Sequence, residues 1–376
     1  MNAVPLRIAL VTEYYYPHLG GVCEHVHHFA REARRRGHHV DIITSRLPGA
    51  EPRPHVIRLG HSVPWYINGS QSRITVGGAL RRDMRQALKT GRYDIVHVHS
   101  PLTPVLPMLA VEEAEVPVVG TFHTYFDWSA GYHMFRRLFQ RRLDTLSAAI
   151  AVSQSTVVAL ERYFDADWQI IPNGIDTDLF RPAAPRPAAI RGDVPTILFL
   201  GRFDPRNGLP TLIDAFKRVR GRGRRAQLVV VGDGPLRDHY RQHAAGDPDI
   251  TFAGAVLDGR PGYYAHSNIY ACPTTKASFG ITLLESMACE TPIVCSDILG
   301  FRDVVVHGRE AMMVPSGDRN ALANALVHLL DDASLCARLG TTGRQRALEY
   351  DWRRVTTDIL AVYDEVLSPS PLAVAV

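Results

Sequence analysis

Short apolar runs rich in β-branched residues recur along the first half of the chain, at 8–11, 40–43, 95–98, 118–121, 149–152 and 168–171. Runs of this length predict strands. Between them lie stretches of helical periodicity such as 23–36 and 80–88. Strand and helix alternating in this way predict a parallel, doubly wound sheet. A connector rich in proline and alanine follows at 181–190, and a second series of runs then begins at 196–200, 227–231, 250–253, 269–272 and 293–295. The pattern therefore predicts an α/β fold of two Rossmann-like, doubly wound domains, 1–185 and 186–351. A last helix, 352–367, follows the corner Tyr350-Asp351-Trp352, and the tail from 368 is expected to fray.

Composition narrows the class. A chain of 376 residues exceeds the size at which one core keeps growing, which agrees with two domains. Hydrophobic residues at 46% and charged residues at 21% describe an ordinary globular protein. A net charge of +4, with basic residues dispersed apart from local clusters, gives no electrostatic footprint for nucleic acid. Five cysteines, odd in number and without C-x-x-C spacing, point to reduced thiols in a cytosolic protein. The amino-terminal apolar run is too short for a secretory segment, and no stretch approaches the roughly 20 apolar residues of a membrane helix. The sequon Asn68-Gly69-Ser70 has no force in such a compartment.

Ligands of doubly wound sheets bind outside the carboxyl ends of the strands, so two such domains facing a central cleft would place the chemistry there. The motifs sit at those ends. Ser278-Phe279-Gly280-Ile281 leads into a helix whose first amides and dipole suit a diphosphate, with Glu285 one to two turns further in, placed for ribose hydroxyls. Gly20-Gly21 follows the first strand and lets backbone approach a phosphate, although Gly-Gly is also a common turn. Arg202 stands just past a strand end, suited to grip a phosphate through two N–H groups. Gly232-Asp233-Gly234 fits a tight turn, Asp258 is a candidate for the base edge, and Pro172-Asn173-Gly174 reads as a structural corner. His97 and His99 share one strand face; a metal pair is one reading and a packed pair, lacking an evident third ligand, is the other. His123 at the fourth strand's end is open to a structural or a ligand role.

The run 278–288 with 291–297 resembles the carboxy-terminal signature of the family 4 glycosyltransferases, and the resemblance covers nearly the whole chain. It implies the GT-B fold, a nucleotide-sugar donor as substrate, transfer with retention of configuration, and no metal or other cofactor. It further implies that the final helix crosses back to the first domain, that His123 contacts the donor sugar, and that Arg202, the Gly20-Gly21 backbone and the amides around Phe279, Gly280 and Ile281 stabilise the leaving diphosphate. His123, Arg202 and Glu285 thus become the catalytic candidates, with Asn207, Gly232 and Asp258 also on the donor side. No enzyme nucleophile is implied: the acceptor attacks on the face the phosphate leaves, and the phosphate takes the proton.

Two positions depart from that family. Ala277 stands where it carries a glutamate, and Asn207 where it carries a lysine that shares the β-phosphate with the arginine; Arg206 and Lys276 are the neighbouring cations. An altered but active enzyme is the favoured reading, and a low-activity or non-catalytic nucleotide-sugar or lipid-binding relative the alternative. The segment 66–73 resembles the acceptor region of the phosphatidylinositol mannosyltransferases, which use GDP-mannose. Tyr14, Asn68, Ser70 and Arg73 are then the acceptor candidates, facing a lipid or polyol headgroup such as inositol phosphate. Arg81, Arg82, Arg85, Lys89 and Arg92 would meet an anionic membrane surface, at about 1 kcal/mol for each charge near it; a solvated helix face is the other reading. The expected location is cytoplasmic, peripheral on the inner face of the membrane.

Overall fold

The computed structural model describes residues 4–18, 20–67, 70–256 and 259–368. Two compact units result, one running to Gly174 and resuming at Trp352, the other Ile175–Asp351. The first contains β1 (Arg7–Val11), β2 (His39–Ser45), β3 (Val56–Leu59), the antiparallel hairpin β4 (His61–Ile67) and β5 (Ser70–Val76), then β6 (Ile95–His99), β7 (Val118–Phe122), β8 (Ala148–Ala151) and β9 (Trp168–Ile170). Apart from the hairpin these pair in parallel, in the order β3-β2-β1-β6-β7-β8-β9. The second holds β10 (Thr196–Leu200), β11 (Gln227–Val231), β12 (Ile250–Gly254), β13 (Ile269–Cys272), β14 (Ile293–Ser296) and β15 (Ala311–Val314), in the order β12-β11-β10-β13-β14-β15.

Helices cover both faces of each sheet, which is why the strands read as continuous apolar runs. Along β1, Ile8 and Leu10 pack with Phe29 and Tyr363 on one face, while Ala9 and Val11 pack with Met84 and Leu106 on the other. Along β10, Ile197 and Phe199 join Phe216 and Leu326, while Leu198 joins Tyr264 and Leu283. The predicted strands all form. Four strands went unpredicted: the edge strand β3 and the hairpin β4–β5, which have polar residues within them, and β15, an apolar run with only one β-branched residue.

The expected boundary at 185/186 differs from the observed division after Gly174. The intervening segment is no linker: Ile175 and Phe180 are buried in the second unit's core, the Ile175 N–H donates to the Tyr350 carbonyl at 2.8 Å, and Arg344 Nη1 donates to the Phe180 carbonyl at 2.9 Å. The last helix, Trp352–Leu367, packs in the first unit beside the helix Gly21–Arg35. Gly174 makes that possible, since a Cβ there would lie 2.5 Å from the Trp352 ring.

Candidate functional site

In both sheets the strand order reverses beside the first strand of the unit, between β1 and β6 and between β10 and β13. Loops leaving the carboxyl ends of those two strands diverge to opposite faces and leave a crevice. In the second unit the loops concerned are 201–208 and 273–280. Arg202 is exposed there, and its guanidinium makes no ion pair or hydrogen bond among the described residues. The loop is built to hold it. Asp204 caps the 3-10 turn Pro205–Asn207 by accepting from the Arg206 N–H, and Asn207 Nδ2 donates to the Arg202 carbonyl at 2.8 Å. Asn207, expected at the diphosphate, therefore commits one amide hydrogen to closing the turn. Arg206 is not free to replace the missing lysine, since its Nε lies 3.5 Å from Asp204 Oδ2.

Gly232 has a reason other than ligand approach. At φ 146° it passes so close to the neighbouring loop that a Cβ would sit 1.9 Å from the Gly201 carbonyl oxygen. It thus sets the position of the loop carrying Arg202. Phe279 is a core side chain beside Tyr350, so only its backbone is available to a ligand. Gly280 caps the helix Ile281–Ala288 without any side-chain cap, which leaves the first amides uncapped by side chains. Glu285 lies on that helix but is buried: its Oε2 accepts from the Tyr264 hydroxyl at 2.8 Å and its Oε1 is 3.0 Å from Arg260 Nη1. A ribose hydroxyl would have to use lone pairs left over from these bonds. Ala277 is half-buried against the core, and its carbonyl oxygen is 2.1 Å from where a Cβ of Gly300 would be. Asp258 lies outside the described residues.

In the first unit the crevice loops are 12–20 and 100–105. Gly20 and Gly21 are exposed at the start of the helix Gly21–Arg35, again without a capping side chain. Tyr14 is half-buried, edge-on to His18 at 4.5 Å between centroids. Arg73 does not present a free guanidinium: Nε donates to Ser62 Oγ at 2.7 Å and Nη2 to the Ser62 carbonyl at 3.1 Å. Asn68 lies outside the described residues, as does the side chain of Ser70.

His123 sits at the end of β7, half-buried, with Nε2 2.9 Å from His99 Nδ1. It ends a cluster the sequence only hinted at. His97 stacks on His99 at 4.6 Å and bonds Tyr363 through Nδ1 and Thr121 through Nε2, each at 2.6 Å. The packed reading of His97 and His99 is therefore the observed one. His25 completes the group, 5.0 Å from His123 between ring centroids, with Nδ1 2.9 Å from Asn173 Oδ1. Burial holds His25 down to about 4 and His97 to about 3, while burial and the neighbouring imidazoles hold His99 and His123 well below the usual range. The cluster is uncharged at neutral pH, so His123 offers a neutral hydrogen-bonding ring. Nothing local in the sequence marks His25, because the cluster is assembled from segments far apart in the chain, at His25, His97 to His99, Thr121 to His123, Asn173 and Tyr363.

Glu13, also absent from the sequence reading, lies buried just past β1. Its Oε1 accepts from the Thr75 hydroxyl at 2.6 Å, its Oε2 has no hydrogen-bond partner among the described residues, and burial raises its carboxyl to about 8.

The basic helix Leu80–Gly91 is more neutral than its sequence. Arg81 pairs with Glu112 and Glu113, and Arg85 Nε lies 2.7 Å from Glu113 Oε2. Arg82 faces Asp83 at 3.3 Å, whereas Lys89 and Arg92 are exposed. The expected cluster of cations is thus largely an intramolecular ion-pair network. No described helix is long and apolar enough to cross a membrane.

Known proteins resemble the chain over nearly its whole length. A family model described as Glycosyltransferase Family 4 matches residues 19–179, and one described as Glycosyl transferases group 1 matches 194–332. The phosphatidyl-myo-inositol mannosyltransferase of Mycobacterium leprae is 34% identical over 365 residues, 96% of this chain and 97% of that one. A GDP-mannose-dependent alpha-(1-6)-phosphatidylinositol monomannoside mannosyltransferase of Mycobacterium tuberculosis is 27% identical, covering 90% and 93%. Among solved structures, a glycosyltransferase of Rickettsia africae superposes with a TM-score of 0.79 at 18% identity, over 97% of this chain and all of that one. Anabaena HepE in complex with UDP-glucose gives 0.74 at 18% identity, over 96% and 100%. At these identities the structural likenesses establish a shared fold, the GT-B pairing of two Rossmann-like domains.

Proposed function

The chain belongs to the family 4 glycosyltransferases, and from that membership we propose that it transfers mannose from GDP-mannose to an inositol hydroxyl of phosphatidylinositol. One observation in the structure carries the donor half of this reading. Arg202, at the switch point of the second unit's sheet, is a guanidinium without an ion-pair or hydrogen-bond partner among the described residues, held on a loop where Asp204 and Asn207 bond to neighbouring backbone. An exposed, pre-positioned cation of this kind suits a diphosphate whose negative charge grows as it leaves.

In the proposed reaction the bond from the sugar's anomeric carbon to the phosphate oxygen breaks. A bond to the acceptor oxygen forms on the same face, and the acceptor's proton passes to the departing phosphate. Arg202 and the uncapped amides at Ile281 supply the positive field, so the step as proposed needs no metal. His123, neutral, orients the sugar by hydrogen bonding, and Glu285 holds the ribose side while tied to Arg260 and Tyr264. Asn207 and Ala277 alter the donor site without removing Arg202. The binding-only alternative draws no support from the relatives, which are named as transferases.

A lipid acceptor requires a place to meet the bilayer, and that place is better supported at 128–142 than on the helix Leu80–Gly91. There Trp128, Met134, Phe135 and Leu138 are exposed, Trp128 by 63% and Met134 by 73%. Arg137 and Arg141 stand among them, exposed and without ion pairs among the described residues. Aromatic and aliphatic groups beside free arginines suit an anionic interface.

The test is incubation with GDP-mannose and phosphatidylinositol vesicles, following GDP release and mannolipid together. Arg202→Ala is expected to reduce turnover about 10²- to 10³-fold and to leave the melting temperature unchanged, because the exposed guanidinium makes no ion pair or hydrogen bond among the described residues. Mannolipid formation undiminished in Arg202→Ala would refute the role of Arg202. GDP-mannose turnover with no mannolipid would refute the acceptor.

A further inference from the structure

We infer that the first unit carries a binding site for a zinc-like divalent transition-metal ion at the amino-terminal edge of its sheet, formed by His39, Asp41 and His55. The three offer ligand atoms that all lie within 4.8 Å of one another. His39 Nε2 is 3.0 Å from Asp41 Oδ2, and His55 Nδ1 is 3.0 Å from Asp41 Oδ1. Two strands create this convergence. His39 and Asp41 are two apart on β2 and so project from the same face. His55 immediately precedes β3 and holds a left-handed backbone, φ 59°, in the turn that delivers it to the same carboxylate.

The chemistry of the donor set selects the ion. Two imidazole nitrogens and one carboxylate oxygen suit zinc, cobalt or nickel, whereas magnesium and calcium favour oxygen ligands alone. An outer partner is also in place. The Tyr93 hydroxyl donates to Asp41 Oδ2 at 2.9 Å, which fixes the carboxylate's orientation as partners behind a ligand usually do. Asp41 and Tyr93 also border a cavity of about 470 Å³, shared with Arg7, Asp83 and Gln86. Solvent therefore reaches the carboxylate and can complete a four-coordinate shell.

Without an ion, Asp41 accepts hydrogen bonds from both imidazoles. On binding, each imidazole carries its proton on the other ring nitrogen, and the freed lone pair and the carboxylate turn to the cation. The rings are 36% and 47% exposed, so that exchange needs no rearrangement of the core. The site lies at the opposite ends of the strands from the crevice loops, and the ion would be a clip rather than a participant in sugar transfer. Its reach extends further, because it fastens β2 to the entry of the edge strand β3. From β3, Arg58 Nη2 donates to the Tyr16 carbonyl at 2.7 Å and Nη1 to the Ser45 carbonyl at 3.1 Å. The clip thus braces the strand that holds the loop carrying Tyr14.

The experiment titrates the full chain, stripped with a chelator, with zinc chloride by calorimetry, with cobalt as an optical probe of coordination. One high-affinity site per chain is expected, together with a cobalt spectrum of mixed nitrogen and oxygen ligation and a higher melting temperature with zinc. His39→Ala and His55→Ala should each abolish that site. Tyr93→Phe should keep it with affinity weakened about 10-fold or more. Circular dichroism confirms that the variants fold; if one of them does not, His55→Gln, which keeps a polar side chain at the exposed turn, takes its place. Weak binding at several sites, or a single site that survives loss of both histidines, would overturn the inference. None of these readouts depends on the transferase activity.

Discussion

Replacing Glu13 by glutamine should make the protein more stable in alkaline solution and leave it unchanged in acid. The carboxyl is buried just past β1, with one oxygen bonded to Thr75 and the other unpartnered among the described residues, and its folded-state value is about 8 against an ordinary 4.5. Below 4.5 both the folded and the unfolded chain carry the proton, and the group is neutral in each. Between 4.5 and 8 the unfolded chain releases the proton while the folded chain keeps it, so stability falls by roughly 1.4 kcal/mol for each pH unit. The whole interval amounts to roughly 4 to 5 kcal/mol, reached near pH 8 and constant above it. Glutamine has nearly the same shape, keeps the acceptor toward Thr75 and cannot ionise. Urea unfolding of the natural chain and Glu13→Gln at pH 5, 6, 7, 8 and 9, read by a probe in the first unit such as Trp352 fluorescence, measures the difference. The two curves should coincide near pH 5 and separate steadily to pH 8. Parallel curves, or a natural chain that is the more stable at pH 8, would refute a protonated Glu13.

Three further outcomes are expected. Gly232→Ala places a Cβ 1.9 Å from the Gly201 carbonyl at φ 146°, and should cost on the order of 2 to 4 kcal/mol in unfolding experiments while weakening nucleotide binding through the displaced Arg202 loop. Asn207→Lys should raise affinity for GDP about tenfold by calorimetry and cost about 1 kcal/mol of stability from the lost bond to the Arg202 carbonyl; unchanged affinity would show that this position does not face the phosphates. His25 and His97 titrate in the folded chain near 4 and 3, below the ordinary 6.5. Their contribution to stability is therefore complete above pH 6.5 and lost as pH falls through about 4 for His25 and about 3 for His97, and ring nitrogen NMR at pH 5.5 should find both neutral.

The paired runs of apolar residues determined the two parallel sheets, because a strand covered on both faces has no polar positions to alternate with. Ile8 to Val11 and Ile197 to Phe199 are each buried on both sides, and that requirement is written locally. The placement of Gly280 before a helix and of Arg202 after a strand was legible for the same reason: each depends on a few adjacent residues. Tertiary structure decided what depends on distant partners. Arg81 and Arg85 lose their availability to glutamates some thirty residues away, Arg73 is spent on Ser62, and Glu285 is shared between Arg260 and Tyr264. His25, His97, His99 and His123 become one uncharged cluster, and His39, Asp41 and His55 one ligand set, only when β3, β2, β1, β6 and β7 lie side by side with the helix Gly21–Arg35 packed on them. Local sequence specifies backbone conformation, whereas the charge and free valence of a side chain are set by whatever the fold brings within a few ångströms of it.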